Sequence, residues 1–139
     1  MIKKKVLIVS ATYYEDICKD LEMWAARHLD NAGIKNKIFQ VPGVFEIPVT
    51  ISKNIKKYDG FIALGCVIKG ETPHFDFVSS SCANGLTRVS LDANKPVLFG
   101  VLTTETEEQA IQRADPQDGN KGAEVAQSAM ELLEQFASL

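Results

Sequence analysis

The chain has 139 residues, with 15 Lys and Arg against 18 Asp and Glu, a formal charge of −3, and 45% hydrophobic residues. That length suits one domain over 1–139 with a substantial core and is short for two, while the missing basic excess excludes the electrostatic footprint of a nucleic-acid binder. The apolar run at 6–9, behind Lys3, Lys4 and Lys5, is too short for a signal core or a membrane span, so a soluble, cytoplasmic protein without membrane contact is expected.

Val6, Leu7, Ile8 and Val9 predict a buried strand that ends at Ser10, Ala11, Thr12, Tyr13 and Tyr14. A helix follows, with Ile17, Leu21, Trp24, Ala25, His28 and Leu29 on one face and Asn31, Ala32 and Gly33 as its stop. His28 reads there as a packed or half-exposed member of the apolar stripe. A second strand over 38–41 ends at Pro42-Gly43, and Pro48 starts a short helix carrying Ile47, Ile51 and Ile55.

Residues 61–68 are almost unbroken in apolar character, which predicts a strand buried on both faces. The turn behind it, Lys69-Gly70-Glu71-Thr72, leads into a helix with Thr72 as N-cap and Pro73 at the first helical position. Phe75, Val78, Cys82, Leu86 and Val89 recur on its buried face. Lys95-Pro96 stops that helix, and 97–102 forms a fourth strand. Thr106-Glu107-Glu108-Gln109 spells a capping box opening a short helix through Arg113, broken at Asp115-Pro116. The last helix, over 120–136, carries Val125, Ala129, Leu132 and Phe136 on one stripe.

This alternation predicts an α/β fold: a three-layer α/β/α sandwich around a four-stranded parallel sheet, flavodoxin-like, with strands too apolar for exposed faces. In such sheets ligands bind beyond the carboxyl ends of the strands, here at 10–14, 42–46, 66–74 and 99–104. The turn at 69–72 offers backbone N–H groups at a helix N-terminus, a ready anion site. Gly65 and Gly70 are spaced as in a Walker A loop, but Glu71 and Thr72 stand where Lys and then Ser or Thr are required. A carboxylate facing the phosphates excludes an NTPase.

His74 is expected as the second helical residue, placed to pass a proton near neutral pH. Spacing alone fits equally a surface histidine that only caps the turn. Cys18, Cys66 and Cys82 are odd in number and form no C-x-x-C pair, against both a disulfide framework and a zinc site. With His28 and His74 the only imidazoles, a metal site has little support.

Four segments, VPGVFEIP at 41–48, GCVIKGETPHFD at 65–76, PVLFGVLTTE at 96–105, and QAIQRA with NKG at 109–114 and 120–122, closely resemble the lumazine synthase family of the riboflavin pathway. They stand in order, at natural spacings, across nearly the whole chain. The resemblance implies condensation of 5-amino-6-(D-ribitylamino)uracil with 3,4-dihydroxy-2-butanone 4-phosphate, losing phosphate and water, without metal or organic cofactor. It also implies a homo-oligomer, a pentameric ring or multiples of it up to a sixty-subunit shell, with sites shared between ring neighbours and an association with riboflavin synthase.

By the same resemblance Tyr13 replaces the aromatic that stacks on the pyrimidine, its ring keeping the flat apolar face; the residue before it, commonly Arg in the family, is Thr12. Val44, Phe45 and Glu46 match the segment that holds the ribityl chain through backbone groups and one carboxylate. Cys66, Val67 and Ile68 match the strand end whose backbone reads the uracil edge, with no thiol chemistry for Cys66. Glu71 and Thr72 match the turn that holds the butanone phosphate, the Glu71 carboxylate pointing away from it. Arg113 matches the arginine that grips the same phosphate with a planar fork of donors, and Lys121 a positive charge nearby. Phe99, at the end of the fourth strand, matches the neighbour-supplied residue over the pyrimidine, and His74 the proton-transfer histidine.

Read without the resemblance, Tyr13 is a loop aromatic, Glu46 a helix-start acid, Phe99 core and Arg113 a solvated helix-end cation. A flavodoxin-like binding module would use Ser10-Ala11-Thr12 as its phosphate loop, which lacks the usual glycine and repeated hydroxyls. A signalling receiver needs an Asp where the third strand ends in Gly65-Cys66. A shell protein with decayed catalysis conflicts with intact Thr72, His74 and Arg113.

Overall fold

The backbone of a computed structural model, described over residues 4–70 and 74–139, alternates strand and helix from the start. In chain order it runs β1 (Lys5–Ala11), α1 (Glu15–Asn31), β2 (Lys35–Val41), a single 3-10 turn (Val44–Glu46) with α2 (Ile47–Lys53), β3 (Gly60–Ile68), α3 (Phe75–Ala93), β4 (Val97–Thr104), α4 (Glu107–Ala114) and α5 (Lys121–Ala137). All strand pairs are parallel and the sheet order is β2-β1-β3-β4. The chain therefore steps one way from β1 to β2 and the other way from β3 to β4, which puts a switch point between the ends of β1 and β3.

Burial explains the layers. Side chains alternate across a strand, so Val6, Ile8, Ile62, Leu64 and Cys66 pack toward α1, α4 and α5, while Leu7, Val9, Phe61, Ala63 and Val67 pack toward α2 and α3. Every residue of β3 is buried, as its apolar run requires. The expectation that all strands are covered fails at β2, an edge strand whose outward residues include Phe39 at 48% exposure. It starts three residues earlier than the apolar run suggests because Lys35, Asn36 and Lys37 pair with β1 while the two lysines are exposed and Asn36 is half-buried.

The punctuation follows local chemistry. The capping box at Thr106 forms, with Gln109 N–H donating to Thr106 Oγ1 at 3.2 Å and the Gln109 side chain accepting from Thr106 N–H at 3.4 Å. Asp115 ends α4 in extended geometry ahead of Pro116. Asn94 ends α3 at φ 55°, and Lys95 Nζ ties that end to the carbonyls of Ile55 at 2.6 Å and Tyr58 at 2.9 Å. On α5 the buried face is Gly122, Val125, Ala126, Ala129 and Leu133, whereas Phe136 is 39% exposed and Leu132 only half-buried. The stripe expected through Leu132 and Phe136 is thus rotated, since α5 turns its Gly122 side onto the α1 backbone.

Candidate active site

Strand register opens a notch at the carboxyl end of the sheet. Pairing of β1 with β3 stops at Ser10 beside Leu64, whereas β3 stays paired with β4 as far as Ile68 beside Thr104. Cys66, Val67 and Ile68 therefore have no strand on their β1 side. Their side chains are buried in the two cores at 5%, 3% and 1% exposure, which leaves their backbone as the part that can meet a ligand.

The notch is bounded by the loop after β1. Thr12 N–H and Oγ1 both donate to the Val41 carbonyl, at 3.0 and 3.3 Å, and the Cys18 thiol donates to the Ala11 carbonyl. These bonds pin the loop just before Tyr13, and Cys18 N–H donating to the Tyr14 carbonyl at 2.9 Å holds it just after; the Tyr13 ring stands 71% exposed against the edge of Tyr14 at a 4.9 Å centroid distance. An exposed aromatic on a pinned loop offers a flat apolar face at low ordering cost.

The 3-10 turn forms the floor beside it, and Gly65 decides how closely it sits. A Cβ at Gly65 would meet Val44 Cγ1 at 2.7 Å and Ala11 Cβ at 3.3 Å, so the bare strand lets Val44 seat directly on β3. With Val44 buried, Phe45 turns outward at 55% exposure and Glu46 lies half-buried. Glu46 N–H donates to Gly43 O at 3.2 Å, and its own carbonyl accepts from Thr50 Oγ1 at 2.9 Å.

His74 is exposed and occupies the N-cap of α3 at φ −120° and ψ 41°, with no side-chain capping bond. It therefore precedes the helix instead of being its second residue, which leaves its ring free of a capping duty. Glu71, Thr72 and Pro73, with the capping role expected of Thr72 and the phosphate role of Glu71 and Thr72, lie outside the described residues.

A second locus lies along the unpaired edge of β4. A cleft of about 470 Å³ there is lined by Phe99, Thr103, Arg113, Gly119, Lys121 and Glu124 among others. Arg113 leaves the last turn of α4, and its Nη1 donates to the Thr103 carbonyl at 3.5 Å. Lys121 opens α5, where Asn120 caps the helix by accepting from Ala123 N–H at 3.4 Å. Two expected phosphate cations and the expected cover residue thus meet in one place.

Phe99 reaches that cleft from within β4, not from its end: it pairs with Ala63 in the middle of β3 and is 39% exposed because β4 is a sheet edge. None of the described rim residues, Tyr13, the 44–46 turn, 66–68 or His74, lines the β4 cleft. Glu124 was not among the expected site residues. Its place three positions after Lys121 on a helix is the signal that could have found it, since such residues face one another.

A family model described as 6,7-dimethyl-8-ribityllumazine synthase matches residues 3–137. A protein of Leuconostoc mesenteroides subsp. mesenteroides named 6,7-dimethyl-8-ribityllumazine synthase is 44% identical over 141 residues, covering 98% of this chain and 90% of that relative.

Proposed function

The chain belongs to the 6,7-dimethyl-8-ribityllumazine synthase family, and from that premise we infer how its two loci divide the work. The activity is the transferase step of riboflavin biosynthesis that condenses 5-amino-6-(D-ribitylamino)uracil with 3,4-dihydroxy-2-butanone 4-phosphate, releasing phosphate and water. In this reading the rim holds the pyrimidine. Tyr13 stacks on the ring, the backbone of Cys66, Val67 and Ile68 reads its edge, and Val44, Phe45 and Glu46 hold the ribityl chain. The β4 cleft holds the butanone phosphate by Arg113, with Lys121 beside it and Phe99 over the pyrimidine, while Glu71 and Thr72 complete the phosphate turn.

The amine attacks the ketone to form an imine, phosphate leaves to give an enol, and ring closure follows. His74 moves the protons. No step asks for a metal or organic cofactor, and the whole span 1–139 acts as one cytoplasmic domain.

The observation that carries the division is that none of the described rim residues lines the cation cleft. Two subunits joined head to tail bring one chain's rim to its neighbour's β4 edge, which supports a homo-oligomeric ring, a pentamer or multiples of it up to a sixty-subunit shell. Riboflavin synthase, the consumer of the product, is the associated partner in this reading.

Refolding a mixture of His74→Ala and Arg113→Ala subunits tests the shared site. If each site takes His74 from one chain and Arg113 from the next, about a quarter of sites in randomly mixed rings regain both residues. Activity of the mixture should then exceed the mean of the two mutant rings, most clearly at low concentration of the phosphate substrate. Equality with that mean, in rings shown by mass to be mixed, rejects the shared site. Absence of product from the unmodified protein supplied with both substrates rejects the activity itself.

A further inference from the structure

One residue holds both flanks of Tyr13. The Cys18 backbone N–H donates to the Tyr14 carbonyl at 2.9 Å, and the Cys18 thiol donates to the Ala11 carbonyl. Ser10 Oγ in turn donates to Cys18 Sγ at 3.4 Å, which orients the thiol. Ser10 and Cys18 are buried, so these weak bonds form where water does not compete for them.

Strand register explains why the Ala11 carbonyl takes a side-chain donor. Thr12 N–H belongs to the same peptide unit and points to β2, where it donates to the Val41 carbonyl at 3.0 Å. A planar trans peptide then turns the Ala11 carbonyl the other way, to the β3 side. Pairing of β1 with β3 stops just short of it, at Ser10 beside Leu64. A further rung between Ala11 and Gly65 would use this carbonyl as its acceptor, and the thiol takes it instead.

We propose that Cys18 is a positioning residue for the pyrimidine: its thiol keeps the Ala11 carbonyl out of the β1–β3 ladder, which fixes where the notch begins and holds Tyr13 at its lip. The thiol is a small side chain that fits the core and still carries one donor. The inference rests on the assignment of Tyr13 to the pyrimidine.

The test is the dissociation constant of the assembled protein for 5-amino-6-(D-ribitylamino)uracil alone, measured by calorimetry. Cys18→Ala removes the donor and should raise that constant about threefold to tenfold, the scale of one net hydrogen bond. Cys18→Ser keeps a donor in the same place and should stay near the unmodified protein. Because the effect runs through Tyr13, Cys18→Ala should cost nothing further in a Tyr13→Ala background. Ser10→Ala, which removes only the bond that orients the thiol, should weaken binding in the same direction by less.

A merely structural role for Cys18 predicts another pattern: a loss of affinity that persists undiminished in the Tyr13→Ala background and is not restored by serine. That result overturns the proposal, as does unchanged affinity in Cys18→Ala. Should Cys18→Ala fail to assemble, Ser10→Ala with and without Tyr13→Ala carries the same comparison. Tyr13→Ala alone separates the levels. If it weakens pyrimidine binding while Cys18→Ala changes nothing, the role of Cys18 falls and the rim assignment stands. If Tyr13→Ala leaves the affinity unchanged, the rim assignment falls and the proposal with it.

Discussion

The rim at the ends of β1 to β3 and the cleft beside β4 hold their functional groups by opposite means. At the rim, the anchoring side chains point inward: Val44, Cys66, Val67 and Ile68 are buried, and what they leave for a ligand is backbone. At the cleft the anchoring is done by caps and turns, and what faces outward is charge on long side chains, Arg113 and Lys121. A backbone edge locked into a core suits a rigid planar heterocycle, whereas cations on surface stems suit a phosphate that must arrive and depart. The sheet edge separates the two, so strain on the rim should cost stability and strain on the cleft should cost substrate binding.

The largest expected effect tests the cleft. Arg113→Ala should raise KM for the phosphate substrate about tenfold to a hundredfold, the range for losing hydrogen bonds to a charged group. Affinity for the pyrimidine should change little, and unfolding by urea should be nearly unmoved, because Arg113 makes one long bond to Thr103 O at 3.5 Å. A fall in pyrimidine affinity with phosphate binding intact would place Arg113 in the wrong half.

Paired glycine substitutions sharpen the contrast. In Gly65→Ala the new methyl meets Val44 Cγ1 at 2.7 Å in the packed floor of the rim. Overpacking of this kind costs about 1–3 kcal/mol, so both Tm and pyrimidine affinity should fall. In Gly119→Ala the methyl meets Arg113 Cα at 2.8 Å and Arg113 O at 2.9 Å, in a surface turn held by Gly119 N–H to Gln112 O at 3.1 Å. That turn can shift with a stability loss under about 1 kcal/mol, but Arg113 shifts with it, and KM for the phosphate substrate should rise. Equal losses of Tm in the two variants would erase the distinction between core-held and turn-held halves.

The same division governs what could be read from residue order. Strands β1 and β3 were legible because two-sided burial writes an unbroken apolar run, and the Thr106 box was legible because its spacing is its mechanism. The edge position of β2 was not, since Lys35 to Lys37 carries no apolar signal until pairing with β1 is known. Phe136 was assigned to the core by period alone, but helix rotation is set by the close approach of Gly122 to Leu21 O, a tertiary fact. At the site, the proposed backbone readers Val67 and Ile68 look like any core residues, and Arg113 like any helix-end cation. The roles proposed for them were reachable only through resemblance, and the placement of Phe99 opposite Ala63 depended on a register that no single strand encodes.

Alkaline titration probes the rim from beneath. Burial raises the thiols of Cys18 and Cys82 from 9.0 to about 11. Cys18 bonds the end of β1, and Cys82 packs in the cluster that contains Val44 and Ile47. Between these two pH values the unfolded chain has lost protons that the folded chain keeps, so the thiols' stabilisation is complete below about pH 9 and is lost as pH rises through 11. Urea unfolding should show a stability loss of at most about 1.4 kcal/mol per pH unit for each thiol over that window. Cys82→Ala should flatten part of the slope, and an unchanged slope in that variant would show that its thiol titrates as if exposed.

The smallest effect is expected where the chemistry looks most concentrated. His74 makes no side-chain capping bond to α3 and is exposed, so His74→Ala removes an imidazole without a helix cap or a core contact. Any change in rate then reports proton transfer itself. General acid–base groups contribute about a hundredfold to ten-thousandfold where proton movement limits the rate, yet in the proposed reading two reactive partners are also held together by separate halves of a site. Effective molarities for well-oriented partners reach about 10⁵ M or more, and imine formation can draw protons from water in an open notch. His74→Ala should therefore lower kcat by less than about tenfold, below the usual contribution of a general acid–base group, with both KM values nearly unchanged. A drop to the rate of the two substrates without enzyme, while both still bind, would show that the rim supplies the decisive proton and not only a surface on which the pyrimidine is held.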